Sequence, residues 1–594
     1  MKNLLLFLSF SLLTLDSLCA KSITGKITDN SGAPLPSVQI IIQGNTSGTL
    51  TDFDGNYSIE AKKGDILVFS YIGFKTETHK VTTKNIINVS LEPSGALEEV
   101  VVQTDMAMEK EVRGIAIHRQ PIRPYPNTTH RESYKGIEEN TFKMVKASPL
   151  STFSIDVDKA GYSNVRRMVN NGQEVPKDAV KIEEMINYFH YNYPKPQGKH
   201  PFSINTEVNT TPWNKNSKLI KIGLQGKTVP MDDIPPSNLV FLIDVSGSMN
   251  SQNKLPLLKS AFKLLVNQLR DEDKISIVTY AGAAGLVLPP TSGDDKNKIM
   301  DALDNLNAGG STAGGQGIIL AYKTAEENFI KNGNNRVILA TDGDFNVGAS
   351  SDRAMQDLIV EKRNSGVFLT CLGFGMGNYQ DSKMETLADK GNGNHAYIDT
   401  MQEAQRILGT EFGGTLYTIA KDVKIQVEFN PTFVQAYRLI GYENRLLNDE
   451  DFNDDKKDAG ELGSGHTVTA LYEIIPTGVK SKWLKDIDDL KYSEKKSVNK
   501  QKDLFTVKFR YKLPDGDQSK LIEHVVSAKE LNKNKASADF KFASAVAMFG
   551  MKLRDSEYIE NTTYETIQDL AKEGKGNDEE GYKAEFIRLV RASQ

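Results

Sequence analysis

Between residues 238 and 398 apolar strands alternate with amphipathic helices, and no other feature restricts the fold so strongly. The strand candidates are 238–243, 274–280, 336–340, 367–372 and the short 396–398, each almost continuously apolar. Helical stretches separate them. Leu258, Phe262, Leu265, Val266 and Leu269 share one stripe of 257–270, Ile299, Leu303 and Leu306 mark a second helix, and 318–329 is a third. A strand that is apolar on both faces needs cover on both faces. The pattern therefore predicts an α/β unit with a doubly wound, Rossmann-like, mostly parallel sheet. Ligands of such sheets sit beyond the carboxyl ends of the strands, near the point where strand order reverses.

Chemistry-bearing residues cluster at that edge. Asp244-Val-Ser-Gly-Ser248 follows the first apolar strand directly and precedes a helix. Asp244, Ser246 and Ser248 alternate, so one loop can turn three oxygens towards one point. A carboxylate and two hydroxyls form a hard, oxygen-only donor set, suited to Mg²⁺ or Mn²⁺ and poor for zinc. Gly309-Gly-Ser-Thr-Ala-Gly-Gly315 adds a loop with Thr312 at its centre. Thr341-Asp-Gly-Asp344 follows the strand 336–340 and puts Asp342 at the same edge.

This constellation resembles the metal-ion-dependent adhesion site of von Willebrand factor type A domains. The family pattern is Asp-x-Ser-x-Ser, then a loop threonine, then a strand-terminal aspartate. Asp244, Ser246, Ser248, Thr312 and Asp342 fill it in order. The resemblance covers 236–415 and implies a divalent cation, Mg²⁺ or Mn²⁺, whose remaining position is taken by an Asp or Glu of a protein partner. The flanks carry further likeness. Leu150-Ser-Thr-Phe-Ser-Ile-Asp-Val-Asp158, Ile182-Glu-Glu-Met-Ile-Asn-Tyr-Phe189 and His466-Thr-Val-Thr-Ala-Leu-Tyr472 are similar to an exported bacterial subfamily. In it a type A domain sits between an N-terminal region, here 146–235, and a C-terminal one, here 416–594. Both flanks are expected to be mixed α+β. The resemblance implies no enzymatic activity.

The N-terminal part reads differently. Lys2 followed by the apolar run 4–15 makes residues 1–20 an export signal, too short to span a bilayer. Cleavage after Ala20 and lipidation at Cys19 both stay open, although Leu18 stands where a lipobox has Gly or Ala. The stretch 22–93 contains several short alternating strands with turn clusters such as 29–32 and 62–65, which predicts a small β-sandwich. Gly25-Lys-Ile-Thr-Asp29, Thr51-Asp-Phe-Asp-Gly-Asn-Tyr57 and Tyr71-Ile-Gly-Phe74 resemble the carboxypeptidase-regulatory-like domain, an accessory module of exported bacteroidete proteins. Residues 94–145 lack sustained periodicity and read as a linker.

Composition narrows the function. The 594 residues hold 72 basic and 77 acidic side chains, a net charge of −5, which argues against nucleic acid as a partner. Two cysteines exclude a disulfide scaffold. No stretch after the signal is long and apolar enough to cross a membrane. Gly223-Leu-Gln-Gly-Lys-Thr228 ends like a phosphate loop, but Lys221 replaces the first glycine. Asp449, Asp451 and Asn453 imitate a calcium loop whose sixth position is Asp454 instead of Gly. Ser246 lacks the flanking glycines of a hydrolase elbow, and Cys371 lies inside an apolar strand. No nucleophile–base pair emerges, so a non-enzymatic role is expected. The expectation is an exported protein of the periplasm, outer membrane or cell surface that binds a protein ligand through the cation. The alternative is an envelope assembly protein in which the metal only stabilises the fold.

Overall fold

The strand Ser237–Asp244 is buried along its whole length and lies in the middle of a six-stranded sheet. The computed structural model describes residues 21–594 except 31, 33, 36–37, 44–47, 53, 72–73, 93–131, 156–157, 231–232, 282–283, 311–313, 344–351, 413–416, 458, 485–501, 515 and 534. The export signal with Cys19, the candidate ligand Thr312 and most of 94–145 lie outside the described residues.

The central sheet runs Ala284–Ser292, Lys274–Tyr280, Ser237–Asp244, Asn334–Thr341, Val367–Phe374, His395–Ile398. All neighbours are parallel except the first pair. Numbered along the chain this order is 3-2-1-4-5-6, so strand order reverses between Ser237–Asp244 and Asn334–Thr341. Alternate residues of the central strand face opposite layers. Val240 and Leu242 pack with Ile318, Ala321, Val337 and Leu339. On the other face Phe241 stacks on Phe262 of the helix Leu255–Gln268, with ring centroids 4.3 Å apart. Phe241→Ala is expected to cost about 3–5 kcal/mol in a chemical denaturation midpoint, because both transfer and cavity terms are lost. The antiparallel edge strand Ala284–Ser292 was not evident from sequence. It carries Pro289 and Pro290, which an edge strand tolerates because one row of its N–H groups needs no partner.

Cys371 sits in Val367–Phe374 with no exposed surface, and burial pushes its thiol well above the ordinary range. It is expected to resist a thiol reagent in native protein and to react only in denaturant, which a DTNB assay reads directly.

The regions 146–235 and 416–594 on either side of the type A segment are built together. Two antiparallel sheets are each built from chain on both sides of the type A segment. One runs Phe202–Thr211, Asn214–Gly226, Thr467–Pro476, Val434–Ile440, Lys143–Met144. The other runs Leu446–Leu447, Leu150–Ser154, Thr418–Phe429, Asp503–Lys512, Ser519–Ser527. They share one core, with Ile220, Tyr437 and Tyr472 from the first and Phe153, Val427 and Phe509 from the second. The type A segment is thus an insertion into a sandwich. Helices Ala160–Asn170, Ile182–Asn187, Ala538–Leu553, Tyr564–Gly574 and Tyr582–Ala592 supply a further core around Tyr188, Phe189, Phe542 and Phe586. The string 223–228, which only ends like a phosphate loop, is strand as far as Gly226, within Asn214–Gly226 paired with Thr467–Pro476. The false calcium loop is a short 3₁₀ turn, Asp449–Phe452, closed by a capping box between Asn448 and Asp451.

The end of the expected linker is corrected. Glu132 accepts from Arg167 Nη2 at 2.8 Å and from the Gly377 amide at 2.8 Å, and Lys143–Met144 is a sheet strand. Irregular backbone held by a charge pair leaves no periodic trace in sequence.

The N-terminal unit is described by itself. Its strands form a three-stranded sheet, Asn56–Ala61, Lys21–Asp29, Val89–Leu91, and a four-stranded one, Gly48–Leu50, Gln39–Ile42, Ile66–Ser70, Glu77–Lys80. Ile23, Ile27 and Ile59 of the first meet Ile40, Leu67 and Phe69 of the second in one core. No helix among the described residues is long and apolar enough to cross a membrane.

Candidate metal centre

Asp244 ends the central strand and Asp342 directly follows its neighbour Asn334–Thr341, so both carboxylates stand at the switch point. Both are fully buried. The loop after Asp244 folds back on it: the Ser246 amide donates to Asp244 Oδ1 at 2.9 Å. This turn brings Ser246 Oγ within 3.1 Å of Ser248 Oγ, with Ser248 exposed and Ser246 buried. The other carboxylate oxygen, Asp244 Oδ2, accepts from Tyr280 OH at 3.1 Å and Thr341 Oγ1 at 3.0 Å. Two backbone bonds tie this loop to the glycine loop: Gly247 N to Gly310 O at 3.1 Å and Gly309 N to Val245 O at 2.7 Å. They anchor the residues just before Thr312, which itself lies outside the described residues. Gly343 turns the chain away from Asp342 at φ 94°, where a Cβ would come within 2.6 Å of the Gln380 amide nitrogen.

Four of the five expected ligands are therefore brought together: Asp244, Ser246, Ser248 and Asp342. Sequence reasoning missed the groups that set their charge. Lys254 Nζ lies 2.8 Å from Asp342 Oδ2 and donates to Asn378 Oδ1 at 3.3 Å. Its stem is laid against Gly375, where a Cβ would stand 2.3 Å from Lys254 Cε. Burial alone would raise the Asp342 carboxyl, but the Lys254 ammonium, with Ser248 and Asn378, holds it below its ordinary value. Asp244 goes the other way. Burial pushes it up, and the Asp342 charge adds to that against the hydrogen bonds from Ser246 and Thr341. One carboxylate is balanced by a lysine and the other is short of positive charge. An oxygen-only donor set beside an unbalanced buried carboxylate fits a hard divalent cation. No spacing template contains Lys254, Tyr280 or Thr341; their adjacency exists only in the fold.

Because Lys254 opposes a second cation, Lys254→Met is expected to be less stable than wild type in EDTA. Its gain from Mg²⁺ should exceed the wild-type gain by roughly 1 kcal/mol or more. Thermal melts at matched ionic strength measure both.

A second carboxylate group is braced by side-chain cations. Asp158, Glu184 and Glu385 lie within 4.8 Å of one another, all buried. Lys181 Nζ stands 3.2 Å from Glu184, 2.8 Å from Asp381 and 3.1 Å from Glu385. Arg445 reaches Asp158 at 3.4 Å, Glu385 at 3.1 Å and Asp389 at 2.8 Å. Two cations thus stand among five carboxylates, and burial with the neighbouring acids pushes Glu184 up to about 7. The cluster pins the type A helix Asp381–Lys390 to the flanking regions.

Comparison with known proteins decides the family. Residues 238–409 match the von Willebrand factor type A domain, 128–221 the model described as von Willebrand factor, 23–102 the CarboxypepD_reg-like domain and 414–594 "Uncharacterized protein YfbK, C-terminal". Protein YfbK of Escherichia coli (strain K12) is 45% identical over 467 residues, which are 77% of this chain and 80% of that protein. The chain belongs to the YfbK family. Both the type A domain and the accessory N-terminal domain expected from sequence are thereby shown. TonB-dependent receptor P26 of Formosa agariphila is 48% identical over 86 residues, 14% of this chain and 9% of that receptor. Among solved structures, a von Willebrand factor type A protein from Catenulispora acidiphila covers 67% of this chain and 91% of its own, at 15% identity and a TM-score of 0.39. For this YfbK-family chain, the type A domain places it in a class that generally mediates protein–protein interaction, often with a metal.

Proposed function

We propose that this chain is an exported binding protein that engages a protein ligand through a divalent cation held by Asp244, Ser246, Ser248, Thr312 and Asp342. The observation that carries this reading is the buried, charge-deficient Asp244 carboxylate next to the exposed Ser248 hydroxyl. When bound, Mg²⁺ or Mn²⁺ would supply an electrophilic centre able to accept a carboxylate oxygen. The protein's own residues do the rest. Ser246 N, Tyr280 and Thr341 fix the Asp244 carboxylate through hydrogen bonds. Lys254 removes the charge of Asp342, so the site keeps about one net negative charge. With a divalent ion bound, the site would carry about one positive charge, which a single Asp or Glu of a partner would neutralise. That balance favours a carboxylate ligand over a neutral one.

The envelope location rests on the likeness of 23–102 to a domain shared with TonB-dependent receptors, together with the signal expected at 1–20. Mass analysis of the mature N-terminus is expected to show either Lys21 as the first residue or a lipidated Cys19. An intact Met1 on protein from the native host would contradict export.

The experiment is capture from envelope extract with immobilised full-length protein, in Mg²⁺ and in EDTA. A partner retained only in Mg²⁺, and lost with Asp244→Ala, supports the reading. A partner retained equally in EDTA favours the assembly alternative, in which the metal only stabilises the fold. A specific feature keeps that alternative in view: the type A helix Asp381–Lys390 is clamped to the flanks by Lys181 and Arg445.

A further inference from the structure

Arg336 is the third residue of the strand Asn334–Thr341, at the opposite end of the sheet from Asp342. The two are six steps apart along the chain, roughly 20 Å in extended backbone. Its side chain is 1% exposed. Nη1 donates to Thr370 Oγ1 at 2.7 Å, and the guanidinium lies 5.6 Å from the Phe368 ring centroid. Nε has no hydrogen-bond partner, and among the described residues the guanidinium forms no ion pair. A buried guanidinium left in this state is expensive, and proteins rarely keep one without a reason. Burial pulls it down to about 10, against the through-space charge of Glu461.

The same arginine lines a cleft of about 370 Å³, within the range of small-molecule sites. The cleft is open, and it is walled by the type A domain on one side and the sandwich on the other. Its two acids are engaged within the lining: Asp389 is held by Arg445 at 2.8 Å, and Glu461 Oε2 accepts from Thr418 Oγ1 at 2.8 Å. Lys135 and Lys390, both exposed on the lining, form no ion pair among the described residues. The lining thus holds Lys135, Arg336, Lys390 and Arg445 against Asp389 and Glu461, and the buried Arg336 guanidinium has no ion-pair partner among the described residues.

We propose that this cleft binds a small oxyanion-bearing ligand, a carboxylate or a phosphate, anchored by the Arg336 guanidinium. The planar fork of an arginine matches either group with two parallel hydrogen bonds. The site is distinct from the metal centre and independent of the metal reading.

The test is thermal unfolding of the full chain in EDTA, which silences the metal centre. Succinate and inorganic phosphate are titrated separately against chloride at matched ionic strength. Wild type is expected to gain melting temperature saturably with one of the two, and which one identifies the oxyanion class. Arg336→Met is expected to lose the response while melting no lower than wild type without anion, since an unpaired buried charge has been removed. Arg336→Lys keeps the charge but not the fork, and its half-saturating concentration should rise about ten-fold or more. Absence of a response to both anions in wild type overturns the proposal. So does a response in Arg336→Met equal to wild type. If Arg336→Met fails to fold, an unchanged response in Arg336→Lys overturns it.

Discussion

In Asp244→Ala, Mg²⁺ is expected to leave the melting temperature unchanged, while wild type is stabilised by about 2.7 kcal/mol at ~100 Kd. The reason is electrostatic. Asp342 is already paired with Lys254, so Asp244 supplies most of the negative charge that a cation meets. Removing it leaves hydroxyls facing a lysine. The fold should persist, because the strand Ser237–Asp244 stays buried between Lys274–Tyr280 and Asn334–Thr341. The three donors aimed at Asp244 lose their acceptor, which costs about 1–3 kcal/mol without metal. Asp244→Asn keeps an acceptor at the same place and should recover part of that cost without recovering the Mg²⁺ response. Equal Mg²⁺ responses in wild type and Asp244→Ala would remove the basis for the site.

Lys181→Met is expected to be the most destabilising single change outside the apolar cores, by about 3–5 kcal/mol near pH 7. The ammonium is fully buried among Glu184, Asp381 and Glu385, and its loss leaves carboxylates uncompensated. The pH dependence has a definite sign. Burial alone would raise Glu385, but Lys181 and Arg445 hold it down, to about 2. A depressed carboxylate contributes stability that is present above its unfolded value of ~4.3 and is lost as pH falls through the folded value. Without Lys181 the carboxyls rise and protonate sooner. The gap between wild type and variant should therefore be widest near neutrality and narrow as pH drops towards ~3. Urea midpoints at several pH values measure it. A gap that is constant with pH would mean that Lys181 acts through packing alone.

What was legible in the sequence follows from what leaves a local trace. The central strands were visible because burial on both faces makes them continuously apolar, as in Val240-Phe-Leu-Ile243. The helix Leu255–Gln268 showed its stripe through Leu258, Phe262 and Leu265. The positions of Asp244 and Asp342 followed from strand ends alone. By contrast, nothing local marks Lys254 as the partner of Asp342, 88 residues away, or Lys181 as the partner of Asp381, 200 residues away. The interleaving of the flanks was also hidden. Leu150–Ser154 pairs with Thr418–Phe429 across the whole type A segment, and sequence alternation gives a strand's face but not its neighbour. Arg336 escaped for the same reason: one arginine in an apolar strand looks like an interruption until its missing partner is seen.

The measurement that bears most directly on the central claim is a Mn²⁺ titration followed by electron paramagnetic resonance, on wild type and Asp244→Ala in parallel. Free Mn²⁺ gives the signal and bound Mn²⁺ does not, so the count of bound ions is read without reference to stability or to any partner. The account predicts one tight Mn²⁺ per wild-type chain, displaced by excess Mg²⁺, and none in Asp244→Ala. A variant that binds as many ions as wild type, or a wild type that binds none, would contradict it.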